Sequence, residues 1–326
     1  VYKRQEPFRL ELPTGLRVGS VNAYLFKDPE PILVDTGIRL DACWLALEEG
    51  LAQHGLAVCD ISRVIITHAH VDHHGQAGAV VANSDADVWI SRLGAPWLEE
   101  RGEFLAQRQD FYRDFFLPSI GLPPESREMV LAGFQALSEQ SHPIPASRIH
   151  AFSLDGRLQM GGRAWEVLHT PGHASMQTCF YDPLNRLLLS ADMLLATTPT
   201  PVVESPHDGS WNRVPALPQF LQSLEKIEAL DIDMVYPGHG RSFSDHRAVI
   251  DRQRNRIYSR KEECLDWIRA GCHVPIHLLD KMYAHQPAAF RLTGLWMLVG
   301  YLDLLEREGS VRCETVDGVW HYYASV

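Results

Sequence analysis

The stretch "ITHAHVDHHG", residues 66–75, sets the reading of this 326-residue chain. Between His68 and His74 it holds four histidines and one aspartate. A buried imidazole or carboxylate without a partner costs desolvation free energy. So dense a cluster calls for a cation that satisfies several lone pairs at once. His68, His70, Asp72 and His73 read H-x-H-x-D-H. Along a strand, residues two apart point the same way, so His68 and His70 are expected to reach one ion. Past the strand end the chain turns, and Asp72 with His73 then reach a second ion close by. Neutral imidazole and carboxylate suit zinc. Iron and manganese are alternatives for the same donors.

Two coordination shells need donors from elsewhere in the chain. "HTPGHASMQT" offers His173 after a Pro-Gly turn, "LLLSADMLL" offers Asp192 after an apolar run, and "VYPGHG" offers His239 between glycines. Each follows a predicted strand, and a rigid sheet edge is a common place to build a site. Predicted strands lie at 20–26, 31–37, 62–70, 86–91, 164–172, 177–182, 186–193 and 233–240, interleaved with a helix over 41–55 in the first part.

Residues 92–150 interrupt that rhythm with an aromatic-rich helical insertion. At α-helical spacing, positions 104, 108, 111 and 115 share a face. Phe111 and Phe115, with Trp211 in "TTPTPVVESPHDGSWNRV", are candidates for a stacking pocket. The alternatives are core packing and a dimer contact, so a homodimer is an expectation. From about residue 245 the pattern turns helical, with one long amphipathic helix ended by Gly271. The tail "SVRCETVDGVWHYYAS" reads as a hairpin with an Asp-Gly turn. Helices followed by a small hairpin suggest a winged-helix-like region over 246–326, behind a catalytic domain over 1–245. Residues 276–326 carry four Lys/Arg against six Asp/Glu, which favours packing or dimerisation over DNA binding.

Composition narrows the function classes. Hydrophobic residues make up 45% and charged residues 22%, an ordinary globular balance. The formal net charge of −11 opposes nucleic acid or an anionic membrane as partner, since counterion release needs clustered Lys and Arg. No apolar run reaches the roughly 18 to 20 residues that span a bilayer. The six cysteines at 43, 59, 179, 264, 272 and 313 form no C-x-x-C pair and read as reduced thiols of a cytoplasmic protein. No secretory signal is recognisable at the N-terminus.

Taken in order, "VDTG" with Asp35, "THAHVDHHG", "TPGH", "SADM" and "PGHG" resemble the motif series of the metallo-β-lactamase superfamily over roughly residues 18–245. The resemblance implies an α/β, four-layer αββα sandwich with two metals at one edge. By motif it implies that His68, His70 and His173 hold a first zinc, that Asp72, His73 and His239 hold a second, and that Asp192 bridges them. It assigns Asp35 to orienting the metal site; a plain Asp-Thr-Gly turn is the alternative. His74 reads as a supporting or surface residue. His169 reads as a hydrogen-bonding support or a core residue.

The implied chemistry is hydrolysis of a small electrophile by a metal-held hydroxide, oriented by Asp72. No G-x-S-x-G nucleophile elbow is present. β-Lactamases of the fold usually carry Cys where Asp192 stands, and its diiron flavoproteins carry Glu where His70 stands, so both activities are disfavoured. Length and tail look most like the hydrolase group that includes β-lactamase-like protein 2, with hydroxyacylglutathione hydrolases sharing the ligands. Esters, thioesters, lactones and activated aryl halides are the expected substrates. The alternatives are a zinc-dependent dehalogenase acting on a chlorinated aromatic, as in chlorothalonil dehalogenase, and a nuclease of the same fold.

Overall fold

The computed structural model describes residues 6–197, 214–286 and 294–325. Trp211 lies outside them. Two sheets face each other. The first has the order β1-β2-β3-β4-β5-β6, built from Phe8–Leu12, Val21–Phe26, Ile32–Val34, Arg63–Ile66, Asp87–Ser91 and Ile149–Phe152. Its first three strands run antiparallel and β3 to β6 run parallel. The second has the order β11-β10-β9-β8-β7, built from Met234–Pro237, Leu187–Ala191, Thr178–Asp182, Arg163–His169 and Arg157–Met160.

Strands β2, β3, β9 and β10 are buried at every position because both of their faces are covered. Between the sheets, Tyr24, Phe26, Val34, Ile65, Trp165, Phe180 and Leu189 form one apolar layer. Trp165 is fully buried there, and its indole N–H donates to the Met160 carbonyl at 3.1 Å. Truncating so large a buried ring to Ala costs about 3–5 kcal/mol. Helices Asp41–Gln53 and Ala77–Ala82 cover the outer face of the first sheet through Leu47, Leu51, Val80 and Val81.

Outside the second sheet lie the helices Ala216–Glu228, His246–Arg269, Pro275–Met282 and Leu295–Arg307. The long His246–Arg269 helix starts where the Asp245 carboxylate accepts from the Ala248 N–H at 3.0 Å. It stops before Gly271, whose φ of +93° suits the left-handed cap. The two-stranded hairpin β12–β13, Val311–Val316 and Val319–Ala324, packs on these helices. Helix, sheet, sheet, helix is the four-layer arrangement. The core runs across residue 245 without a break, since Leu217 and Leu298 belong to one cluster.

Several local expectations need correction. Strand β4 ends at Ile66, so His68 and His70 stand beyond it and owe their convergence to loop geometry, not to strand periodicity. The helical insertion ends before Ile149, where β6 begins. Strands β1, β6 and β7 are additions; each is five residues or fewer and only partly buried, a weak signal in sequence.

Candidate metal centre

The second sheet explains where the site sits. Strands β8 and β10 both run antiparallel to β9, and β11 runs parallel to β10. The C-terminal ends of β8, β10 and β11 therefore reach the same edge. His173 follows β8, Asp192 follows β10 directly, and His239 follows β11. From the other sheet, β4 delivers His68 and His70 to that edge, and the single helical turn Val71–His74 presents Asp72 and His73.

The donors converge as two triads. His68, His70 and His173 form one, with His70 Nδ1 3.0 Å from His68 Nε2 and 2.9 Å from His173 Nε2. Asp72, His73 and His239 form the other, with His239 Nε2 3.4 Å from Asp72 Oδ2. Asp192 lies between them. Its Oδ2 is 3.5 Å from His173 Nε2 and 3.3 Å from His239 Nε2, and its Oδ1 is 3.4 Å from His73 Nε2. His70 is half-buried and the other six are buried.

Three of the five imidazoles, those of His68, His73 and His239, are held from behind. The Asp35 Oδ2 is 2.7 Å from His73 Nδ1, the Ser20 carbonyl is 2.8 Å from His239 Nδ1, and the Thr67 hydroxyl is 3.0 Å from His68 Nδ1. These contacts fix the rings so that Nε2 faces inward. The inward atoms His73 Nε2, His239 Nε2 and Asp192 Oδ1 are buried and have no hydrogen-bond partner. Orphaned buried polar atoms of this kind are rare in folded proteins. Here they are the donors a cation would take, so the residues fit a metal pair.

The electrostatics agree. Burial first, then the neighbouring imidazoles, hold His68 and His70 well below the ordinary histidine range, leaving them neutral. Burial opposes a charge on Asp72 and Asp192, yet His73 and His239 outweigh it and hold both carboxyls well below the usual range. Burial also opposes a charge on His239, but Asp192 and Asp72 push it up to about 10. Two buried carboxylates, Asp72 and Asp192, thus draw positive charge into the cluster, whether as protons on His73 and His239 or as metal.

The backbone is shaped for this. Asp35 has φ +60° and Ala191 has φ +44°, left-handed values that non-glycine residues adopt only where the surroundings impose them. At Gly238 an added Cβ would fall 2.1 Å from Asp192 Oδ1, so only glycine lets the "PGHG" turn approach the acid.

A cavity of about 280 Å³ opens beside Asp72, His70 and His173. Its walls include Trp97, Leu105, Arg108, Tyr112, Phe134 and Trp296. Phe111 and Phe115 are not in that lining. Residues 111–116 wind as a π-helix, whose wider turn breaks the phase set by 104 and 108. Phe111 is buried in the core outside the second sheet, and Phe115 packs against Trp320 at 5.7 Å between centroids. Tyr112 takes the place at the cavity. His74 is buried and also faces the cavity; burial, with Arg101 nearby, pushes its pKa down to about 3. His169 Nε2 lies 2.7 Å from the Ser175 carbonyl, closing the loop that carries His173.

Support residues absent from the motif reading are Thr67, Asn22 and Tyr24. The Thr67 N–H and hydroxyl both donate to Asp35, each at 2.9 Å. The Asn22 amide donates to the carbonyls of Pro237 and Gly240, both at 2.8 Å, and the Tyr24 hydroxyl donates to Pro237 at 2.7 Å. Thr67 stands inside the quoted motif, and "SVNAY" covers the start of β2, beside the His239 loop.

The family model described as the metallo-beta-lactamase superfamily matches residues 16–239. The chain belongs to the metallo-β-lactamase superfamily. This superfamily member is 25% identical to the probable metallo-hydrolase YqjP of Bacillus subtilis, over 94% of each chain. It is 24% identical to the acyl-coenzyme A thioesterase MBLAC2 of Bos taurus, over 69% of this chain and 75% of that one. A metallo-beta-lactamase family protein from Thermus thermophilus shares its fold, with a TM-score of 0.81, 24% identity and 98% of each chain covered. The superfamily member is therefore a metallo-hydrolase relative whose clustered His and Asp side chains can bind metal ions.

Proposed function

We propose that this protein is a binuclear metal-dependent hydrolase of small esters or thioesters, with zinc as the default metal. The single observation that carries this is Asp192 Oδ2, which lies within 3.5 Å of one imidazole from each triad. A carboxylate so placed could hold a cation on either side, and the open cavity beside it leaves room for water and substrate. A structural zinc site is closed by four protein ligands, whereas a catalytic one keeps a position open.

Cations bound there would lower the pKa of a water and polarise the carbonyl under attack. The chain's own residues do the rest. Asp72 is ionised and borders the cavity, placed to accept the proton of an attacking water. Asp35, Thr67 and the Ser20 carbonyl keep the imidazoles aimed. Trp97, Leu105, Phe134 and Trp296 exclude solvent from the acyl group. Two relatives are described as thioesterases: the Bos taurus protein and the atrochrysone carboxyl ACP thioesterase of Aspergillus fumigatus, 25% identical over 78% of this chain. The latter match covers 61% of that protein. These favour thioesters within the class. The aromatic lining favours a second reading, dehalogenation of a flat chlorinated ring.

The test is a panel of thioesters, esters, lactones, phosphodiesters and chlorinated nitriles, offered to metal-quantified protein. Thiol or acid release that disappears after chelation and in Asp192→Ala, with the circular dichroism spectrum retained, supports the reading. Chloride release alone supports the second. No turnover with two metals bound per chain contradicts both.

A further inference from the structure

We propose that the cavity selects substrates bearing an oxyanion on an apolar body, with Arg101 and Arg108 as the anion-binding groups. This rests on the hydrolase reading above and names the substrate class within it. Both arginines stand on the helix Arg101–Asp110, seven residues apart and so on one face, and both line the cavity that holds His70.

Among the described residues, no carboxylate forms an ion pair with either one, in a chain of net charge −11. Arg101 donates one bond to the Ser138 carbonyl and keeps its other donors. Burial and the nearby Arg39 lower its pKa, the mark of a desolvated cation in a positive field. The Arg108 guanidinium lies 5.6 Å and 5.4 Å from the ring centroids of Tyr112 and Phe134, and its Nε is buried without a hydrogen-bond partner.

A partly buried guanidinium without a counter-ion is unfavourable, and an entering anion removes that cost. The guanidinium fork matches a carboxylate, sulfate or phosphate through paired N–H donors. Stacking on Tyr112 and Phe134 holds Arg108 in place without using those donors. Trp97, Leu105 and Trp296 form an apolar part of the same wall, which suits an aryl or alkyl chain, while Asp72 and Asp192 lie at its metal-binding end. At about 280 Å³ the space is of the size that takes one small anion. The acidic overall balance thus argues against a polyanion without arguing against a singly charged substrate.

The test uses 4-phenylbutanoate, its neutral amide and 3-phenylpropyl phosphate as probes. Binding is measured by titration calorimetry to metal-loaded and to metal-depleted protein, because a carboxylate can also ligate a metal. The wild type is expected to bind an anionic probe about ten-fold or more tighter than the amide, in both metal states. The tighter of the two anions identifies the oxyanion. Arg108→Gln is expected to abolish the preference, Arg108→Lys to restore part of it, and Arg101→Gln to weaken it.

Equal binding of anion and amide, a preference confined to metal-loaded protein, or one unchanged in Arg108→Gln would overturn the proposal. A matched pair of anionic and neutral thioesters separates it from the hydrolase reading. If neither is cleaved while the anion preference persists, the hydrolase reading fails and the anion site stands. If both are cleaved at equal kcat/KM, the anion site fails and the hydrolase reading stands.

Discussion

Asp35 Oδ2 sits 2.7 Å from Nδ1 of His73, and the same carboxylate accepts two hydrogen bonds from Thr67. One acid outside the metal cluster thus ties the strand end at β3 to the turn that carries Asp72 and His73. It does so from a left-handed backbone that places its carboxylate under the ring.

Asp35→Asn keeps a residue that tolerates this backbone but removes the charge behind His73. Metal affinity is expected to fall about 10- to 100-fold, read by competition with a chromogenic chelator. Asp35→Ala should lose thermal stability as well, because the backbone strain remains and its compensating bonds are gone. Unchanged affinity in Asp35→Asn would remove Asp35 from the site.

Gly238→Ala puts a methyl 2.1 Å from Asp192 Oδ1 and 3.0 Å from His73 Cε1. The acid between the two triads must move, and a displacement near 1 Å costs about 10²-fold in activity. Metal content and hydrolysis are expected to fall together while the circular dichroism spectrum persists. Full metal content with full activity would show that the turn does not control Asp192.

Asn22→Ala removes two hydrogen bonds beneath the His239 loop, leaving the Pro237 carbonyl with only the Tyr24 hydroxyl and the Gly240 carbonyl with only Arg9 as side-chain donor. The expected cost is about 1–3 kcal/mol in urea unfolding of chelated protein. Metal affinity should fall too, since Ser20 and the loop position His239 together. A variant with wild-type stability and affinity would contradict the anchoring role.

Burial raises the thiols of Cys43 to about 11 and of Cys179 and Cys264 to about 12, against 9.0 for a free thiol. All three stay protonated in the fold when the unfolded chain has begun to ionise. The unfolded state then binds fewer protons, so stability is full below about pH 9 and declines as pH rises through 9 to 12. Unfolding midpoints measured from pH 8 to 10.5 should fall, less steeply in Cys43→Ala relative to its own value at pH 8. Under native conditions iodoacetamide should label the exposed Cys59 and spare these three.

Much of the site was legible because its chemistry has few other uses. Seven His and Asp side chains in four motifs, each after an apolar run, point to metal whatever the loop details. The cavity wall was less legible. Phe111 and Phe115 share an α-helical face on paper, but a π-turn rotates them into the core and leaves Tyr112 at the cavity. Arg108 did fall on the predicted face, yet its meaning depends on Tyr112, Phe134 and the lack of an acid partner, all of which are tertiary facts. Likewise β1 is placed by the core it enters with Leu10 and Leu12, and the C-terminal helices by a separate core outside the second sheet, contacts that periodicity does not reveal.

The proposed function depends on these seven side chains being able to hold two cations, one on either side of Asp192. Anomalous diffraction collected at a metal absorption edge, from crystals of protein purified without chelator, tests this most directly. The expected result is two peaks a few ångströms apart, one beside His68, His70 and His173, the other beside Asp72, His73 and His239, with Asp192 between them. A single peak, or peaks away from Asp192, would contradict it.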